Sequence, residues 1–203
     1  MDSVLNRNLF FVREHVGVFK AANNYDILDP ETGQVILECR EDNLGFFTRI
    51  FRITDLKLLT PFDIRIRTPD GQQVVRVERG AAFFLSTVNV MDGADESIGS
   101  FRQKLFTIGG GFTVLDTGGR PMFDVKGKWT GWNFRLERDG VEFARITKKW
   151  SGLGKELFTS ADNYMIKISD VVPKDNPVRL LILAAAMCID MVLQEHRGHL
   201  WRR

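Results

Sequence analysis

Residues Val178 to Leu193, reading VRLLILAAAMCIDMVL, place the hardest constraint on this 203-residue chain. Leu180 to Ile189 are apolar on every face of a helix, and such a helix has to be buried in a large core or in a membrane. Geometry weighs against a simple span. From Val178 to Leu193 a helix reaches about 24 Å, whereas a hydrocarbon core about 30 Å thick needs roughly 20 apolar residues. Arg179 stands at one end and Asp190 lies inside the other. A carboxylate at bilayer depth costs about 2.5–3.5 kcal/mol. The sequence therefore favours a core helix, with a membrane anchor as the alternative. Inside a protein core, Asp190 needs a hydrogen-bonding or cationic partner or a place at the rim.

The rest of the chain reads as strands and turns. Turn signals recur at Asp29-Pro30-Glu31-Thr32-Gly33, Pro69-Asp70-Gly71, Met91-Asp92-Gly93, Asp116-Thr117-Gly118-Gly119 and Asp139-Gly140, residue types that supply tight hairpin turns. Ile64–Arg67 and Val75–Arg79 alternate apolar with charged residues on either side of a turn, as do Phe134–Arg138 and Val141–Ile146. That period of two means one buried and one wet face. Many short strands between such turns predict a sandwich or barrel. A closed barrel has no exposed edges, and one wider than about eight strands needs something inside it. An apolar helix would serve. Leu44, Phe47, Ile50 and Phe51 share a face at helical spacing, so Leu44–Arg52 reads as a short helix, with a strand as the alternative.

At 44% hydrophobic, the chain supports a core as a single domain over residues 1–203, with the central helix at about 178–195. A formal net charge of +2 is too small to argue for nucleic acid. Cys39 and Cys188 form no disulfide framework, which fits a reducing compartment. The first residues lack a signal-peptide pattern, so a cytoplasmic location is expected. Catalytic constellations are missing. His196 and His199 lie beside Glu195 without a third metal ligand. Gly109-Gly110-Gly111 is followed by Phe112-Thr113, which reads as a strand kink rather than a phosphate cradle. The chain is not expected to be an enzyme or to carry a cofactor.

Two basic-aromatic clusters stand out: Lys126-Gly127-Lys128-Trp129-Thr130-Gly131-Trp132, and Lys148-Lys149-Trp150-Ser151-Gly152-Leu153-Gly154-Lys155. Lysine beside tryptophan suits a membrane interface with anionic lipid. With Arg49 and Arg52 beside them, and Phe46 and Phe47 as apolar wedges, the clusters would make one lipid footprint. The competing reading packs the indoles inward and leaves the lysines merely solvated.

Ile146-Thr147-Lys148-Lys149-Trp150-Ser151-Gly152, followed by Phe158-Thr159-Ser160-Ala161-Asp162-Asn163-Tyr164 and then an apolar helix, resembles the phospholipid scramblase signature. Asn23–Asp29 with Gly33-Gln34-Val35 resembles that family's opening hairpin. LURP-one-related proteins and the tubby C-terminal domain belong to the same structural group. The resemblance implies a mainly β fold, a closed antiparallel barrel of about twelve strands enclosing a hydrophobic C-terminal helix. It also implies membrane-associated phospholipid binding, with transbilayer scrambling as the stronger activity, at an anionic membrane surface on the inner face of the plasma membrane. The alternative is a barrel serving as an interaction scaffold without lipid chemistry. The calcium motif attributed to the family falls on Ser160 to Val171. Asp162 is kept as a calcium candidate, but Ser160 and Val171 replace the flanking carboxylates and Lys167 intervenes. Hard cations want several oxygen ligands and negative charge, so no calcium cofactor is expected.

Overall fold

The computed structural model describes residues 3–14, 24–41, 61–80, 87–103, 111–128, 131–148 and 163–200, the last stretch as backbone alone from 191 onward. After a 3-10 turn at Ser3–Asn6 come β1 (Leu9–Glu14), β2 (Tyr25–Leu28), β3 (Val35–Arg40), β4 (Phe62–Arg67), β5 (Gln73–Arg79) and β6 (Thr87–Asp92). They are followed by β7 (Ser97–Gln103), β8 (Gly111–Leu115), β9 (Pro121–Lys128), β10 (Asn133–Arg138), β11 (Val141–Thr147), β12 (Tyr164–Ile168) and the helix α1 (Val178–Leu200). Each strand pairs antiparallel with its sequence neighbour, and β1 closes the ring on β12 through Phe10↔Ile166 and Val12↔Tyr164. The fold is thus a closed barrel of twelve strands around one helix.

The alternating segments do form hairpins. Ile64 pairs with Val77 and Ile66 with Val75, while Phe134 pairs with Ile146 and Leu136 with Ala144. Their apolar side chains point inward and are buried, leaving Asp63, Arg65 and Arg76 on the outer face. There Arg76 Nε donates to Asp63 Oδ1 at 2.9 Å, within a lattice that includes Arg65 and Glu78.

All the Asp- and Gly-bearing turns fall at one end of the barrel, the turn end. Carboxylates fold several of them by accepting local backbone N–H groups, a bond that competes with strand continuation. Asp29 Oδ1 accepts from Glu31 N at 2.9 Å, Asp92 Oδ1 from Ala94 N at 2.9 Å, and Asp116 Oδ1 from Arg120 N at 2.8 Å. Asp139 and Gly140 take positive φ, 51° and 81°, as a two-residue hairpin turn twisted like its strands requires.

The helix enters from the same end. Asn176 Oδ1 accepts from Val178 N at 2.9 Å, capping a helix whose start is preset by Pro177. Arg179, 1% exposed, donates from Nε to Leu5 O at 2.6 Å, from Nη1 to Val172 O at 3.1 Å, and from Nη2 to Arg7 O and Asn8 Oδ1. Burial lowers its pKa, partly offset by Asp170 and Asp175. Leu180 to Ile189 are each at most 4% exposed and belong to one core with the inward strand residues. The wall approaches the helix closely at Gly99 of β7. A Cβ there would sit 2.4 Å from Leu115 O and 3.1 Å from Leu181 Cδ2.

The apolar run is therefore a core helix, as its length suggested, though it continues to Leu200 rather than ending near residue 195. Among the described residues, no helix is long and apolar enough to cross a membrane. The expected short helix at Leu44–Arg52 lies outside the described residues.

Candidate functional site

Strand direction decides what meets at the other end of the barrel. The connections 15–24, 41–61, 80–86, 104–110, 129–132 and 148–163 all begin and finish there, and α1 runs toward it. This loop end is the candidate site, since its connections hold in sequence the Phe46–Arg52 segment, the second basic-aromatic cluster and the Trp129–Trp132 part of the first, whose Lys126 and Lys128 lie in the adjoining last residues of β9.

Inside the wall at this end sits a buried polar group of residues. Tyr25 of β2 donates its hydroxyl to Asp190 Oδ2 of α1. Both are buried, Asp190 at 4% exposed. The partner that a core carboxylate demands is thus a phenol on the barrel wall. Tyr164 of β12 points its hydroxyl at Met187 Sδ, 4.0 Å away. Burial pushes the pKa of both tyrosines well above the usual phenol value, and the Asp190 carboxylate adds to both. Burial likewise pushes the Cys39 thiol up, against the opposing pull of Arg40. These groups are held protonated. They are a poor set of nucleophiles, since a thiolate or phenolate is what reacts.

Trp132 lies next to this group. Its backbone is at φ 45°, a region that costs a bulky residue about 1–3 kcal/mol. The left-handed step folds the indole inward onto Tyr164, with ring centroids 4.8 Å apart, and edge-on to Phe134 at 6.0 Å. The residue is 5% exposed, which removes Trp132 from the lipid-facing set and gives it the inward packing of the competing reading. Its indole Nε1 is buried without a hydrogen-bond acceptor, an omission that costs about 1–3 kcal/mol. Lys148 caps the ring, with Nζ 4.2 Å from the centroid, and its backbone N donates to Trp132 O at 3.1 Å.

The other expected residues divide plainly. Lys126 is exposed on β9 and pairs with Glu137 Oε1 at 3.1 Å. Lys128 ends β9, and its side chain lies outside the described residues. So do Phe46, Phe47, Arg49, Arg52, Trp129, Lys149, Trp150, Lys155 and Asp162. The structure brings Trp132 and Lys148 together from the two clusters, a pairing that no local sequence signal marks. The Tyr25–Asp190 contact was half legible, since Asp190 announced its need for a partner without saying which.

Among the described residues, no group of three or more His, Cys, Asp or Glu side chains could hold a metal ion. A closed antiparallel barrel filled by an apolar helix is a fold not typical of enzymes. The Scramblase family model matches residues 4–196, and the chain belongs to that family. No solved structure matches the chain.

Proposed function

We propose that this protein binds phospholipid at a membrane surface through the loop end of its barrel. Scramblase membership suggests a phospholipid-related function, and the unequal charge that the sequence gives to the two sets of connections carries the rest. The turn end bears Asp29, Glu31, Asp70, Asp95, Glu96, Asp116, Asp139, Asp170 and Asp175 against Arg7, Arg120 and Lys174. The connections of the loop end carry Lys20, Arg49, Arg52, Lys57, Lys104, Lys148, Lys149 and Lys155 against Glu41, Asp42, Asp55, Glu156 and Asp162. They also carry Phe46, Phe47, Trp129 and Trp150. An anionic surface repels the first end and attracts the second, by about 1 kcal/mol per basic residue near it. Aromatic side chains suit the headgroup depth.

In this reading Lys126, Lys128, Lys148, Lys149 and Lys155, with Arg49 and Arg52, meet the headgroups, and Phe46, Phe47, Trp129 and Trp150 enter the interface. The protein is then peripheral, at the cytoplasmic face of the plasma membrane. Transbilayer scrambling is the stronger form of the proposal. It needs a path for headgroups, and the centre of this barrel is filled by Leu180 to Ile189, so the barrel would have to open.

Flotation with vesicles containing phosphatidylserine tests the surface reading. Recovery should be high at low salt and fall as salt shortens the Debye length toward about 3 Å. No recovery at low salt refutes it. A dithionite assay in proteoliposomes tests scrambling, and transfer no faster than in protein-free vesicles counts against it.

A further inference from the structure

We propose that the outer wall over β9–β12, just below the loop end, is a membrane contact, so that the barrel leans on this side against an anionic lipid surface instead of standing upright on it. The inference rests on the lipid reading above and deepens it.

Strand register carries the argument. Lys126 of β9 lies opposite Arg135 of β10, Arg135 opposite Arg145 of β11, and Arg145 opposite Lys167 of β12. These cations stand in one row across four strands, about 14 Å from end to end, and all are exposed on the outer face. Like charges directly opposite one another destabilise a sheet. Two carboxylates offset them. Glu137 meets Lys126 at 3.1 Å and Arg135 at 3.8 Å, and Glu142 meets Arg145 at 2.7 Å. Asp124, nearer the turn end, accepts from Thr113 Oγ1 at 2.8 Å. Lys167, exposed on β12, makes no ion pair among the described residues. A second row shows the neutralised alternative. Arg40, Arg65 and Arg76 are also in register across β3–β5, but Asp26, Glu38, Asp63, Glu78 and Asp95 all lie within ion-pair reach of them.

The place of the β9–β12 row points to its partner. Each of its residues lies two or three positions from the loop-end limit of its strand, about 7–10 Å below it. The connections 129–132 and 148–163 join these same strands and hold Trp129, Lys149, Trp150 and Lys155. The row therefore continues the basic charge of those connections down the wall. An anionic headgroup layer complements both together.

The test uses the full chain and phosphatidylcholine vesicles with or without phosphatidylserine. Cys39 and Cys188 are buried, so an environment-sensitive fluorophore attaches selectively at Asn133→Cys, beside the row, or at Thr87→Cys. Both are exposed first residues of their strands, β10 and β6, at the loop end, and they stand four strands apart in the ring. A leaning barrel gives a blue shift at Asn133→Cys that exceeds any at Thr87→Cys, and only with phosphatidylserine. Equal shifts, or a larger one at Thr87→Cys, overturn the proposal. Lys167→Gln should bind the anionic vesicles about fivefold more weakly, the equivalent of about 1 kcal/mol per basic residue near the surface. Glu137→Gln should bind them more tightly, because it releases Lys126 and Arg135, and a general loss of fold would not act in that direction. If the wild type floats and neither variant departs from it, the surface reading stands and the leaning contact is overturned. If the wild type does not float, both fall. A Lys167→Gln variant that floats normally but is held less by heparin assigns the row to a soluble polyanion and overturns the contact as well.

Discussion

Alkaline unfolding should report directly on the buried acids that line the loop end. Cys39, Tyr25 and Tyr164 are each 0% exposed, and burial raises all three pKa values, with Asp190 adding to the tyrosines. The unfolded chain releases these protons near the ordinary values, about 8.5 for a thiol and about 10 for a phenol. The folded chain keeps them. Above those values the unfolded state binds fewer protons than the native one, so stability falls as pH rises, and it is fully present below them. Each group contributes a slope approaching about 1.4 kcal/mol per pH unit. At about pH 10 the thiol alone costs about 2 kcal/mol. At about pH 11 it costs about 3 kcal/mol and the two phenols together about 3 more. A domain with about 5–15 kcal/mol of stability then begins to unfold near that pH. Urea melts under reducing conditions, from about pH 7 to about pH 11, would measure this. Cys39→Val should abolish the fall between about pH 8.5 and about pH 10. Tyr164→Phe should remove about 1.4 kcal/mol per unit from the slope above about pH 10. A profile flat to about pH 11, or a Cys39→Val profile matching wild type, would refute the reasoning.

Three further outcomes follow from the packing. Arg179→Met should cost about 3–5 kcal/mol in urea melts, because it strands the four acceptors around Arg179 in a buried site; a loss under about 1 kcal/mol would mean that the carbonyls find other donors. Gly99→Ala should cost about 1–3 kcal/mol by overpacking against Leu115 and Leu181, while Gly131→Ala, with nothing within 4 Å of the added Cβ, should stay within about 0.5 kcal/mol of wild type. Lys126→Ala breaks an exposed pair with Glu137 and should change stability by less than about 1 kcal/mol; its flotation on phosphatidylserine vesicles should nevertheless weaken measurably, and unchanged flotation would remove Lys126 from the lipid contact.

The two ends of the barrel differ in how far they could be read from the chain. At the turn end, Asp29, Asp92 and Asp116 do their work through bonds to residues two to four positions away, and Asp139-Gly140 through their own positive φ. Such signals are local, so the sequence carries them openly. The alternation of Ile64–Arg67 and Val75–Arg79 is local too, and both strands formed where it pointed. The loop end is built the other way. Tyr25 meets Asp190 across 165 residues; the turn end also holds long-range bonds, as where Arg179 reaches Leu5 across 174. Trp132 broke the expectation of a lipid-facing indole because one left-handed backbone step, taken by the tryptophan itself and not by the adjacent Gly131, turned its ring inward.

By itself, then, the amino-acid order determined that strands would alternate with tight turns and that Leu180 to Ile189 had to be surrounded on all sides. Hydrophobic periodicity and turn chemistry act over a few residues, and a helix apolar on every face admits few homes. Only the tertiary structure decided that the surroundings are the barrel's own wall, that Tyr25 satisfies Asp190, and that the basic-aromatic connections share one end. Those outcomes depend on ring closure between β1 and β12 and on antiparallel strand direction. Both are properties of the assembled barrel and of no single segment of it.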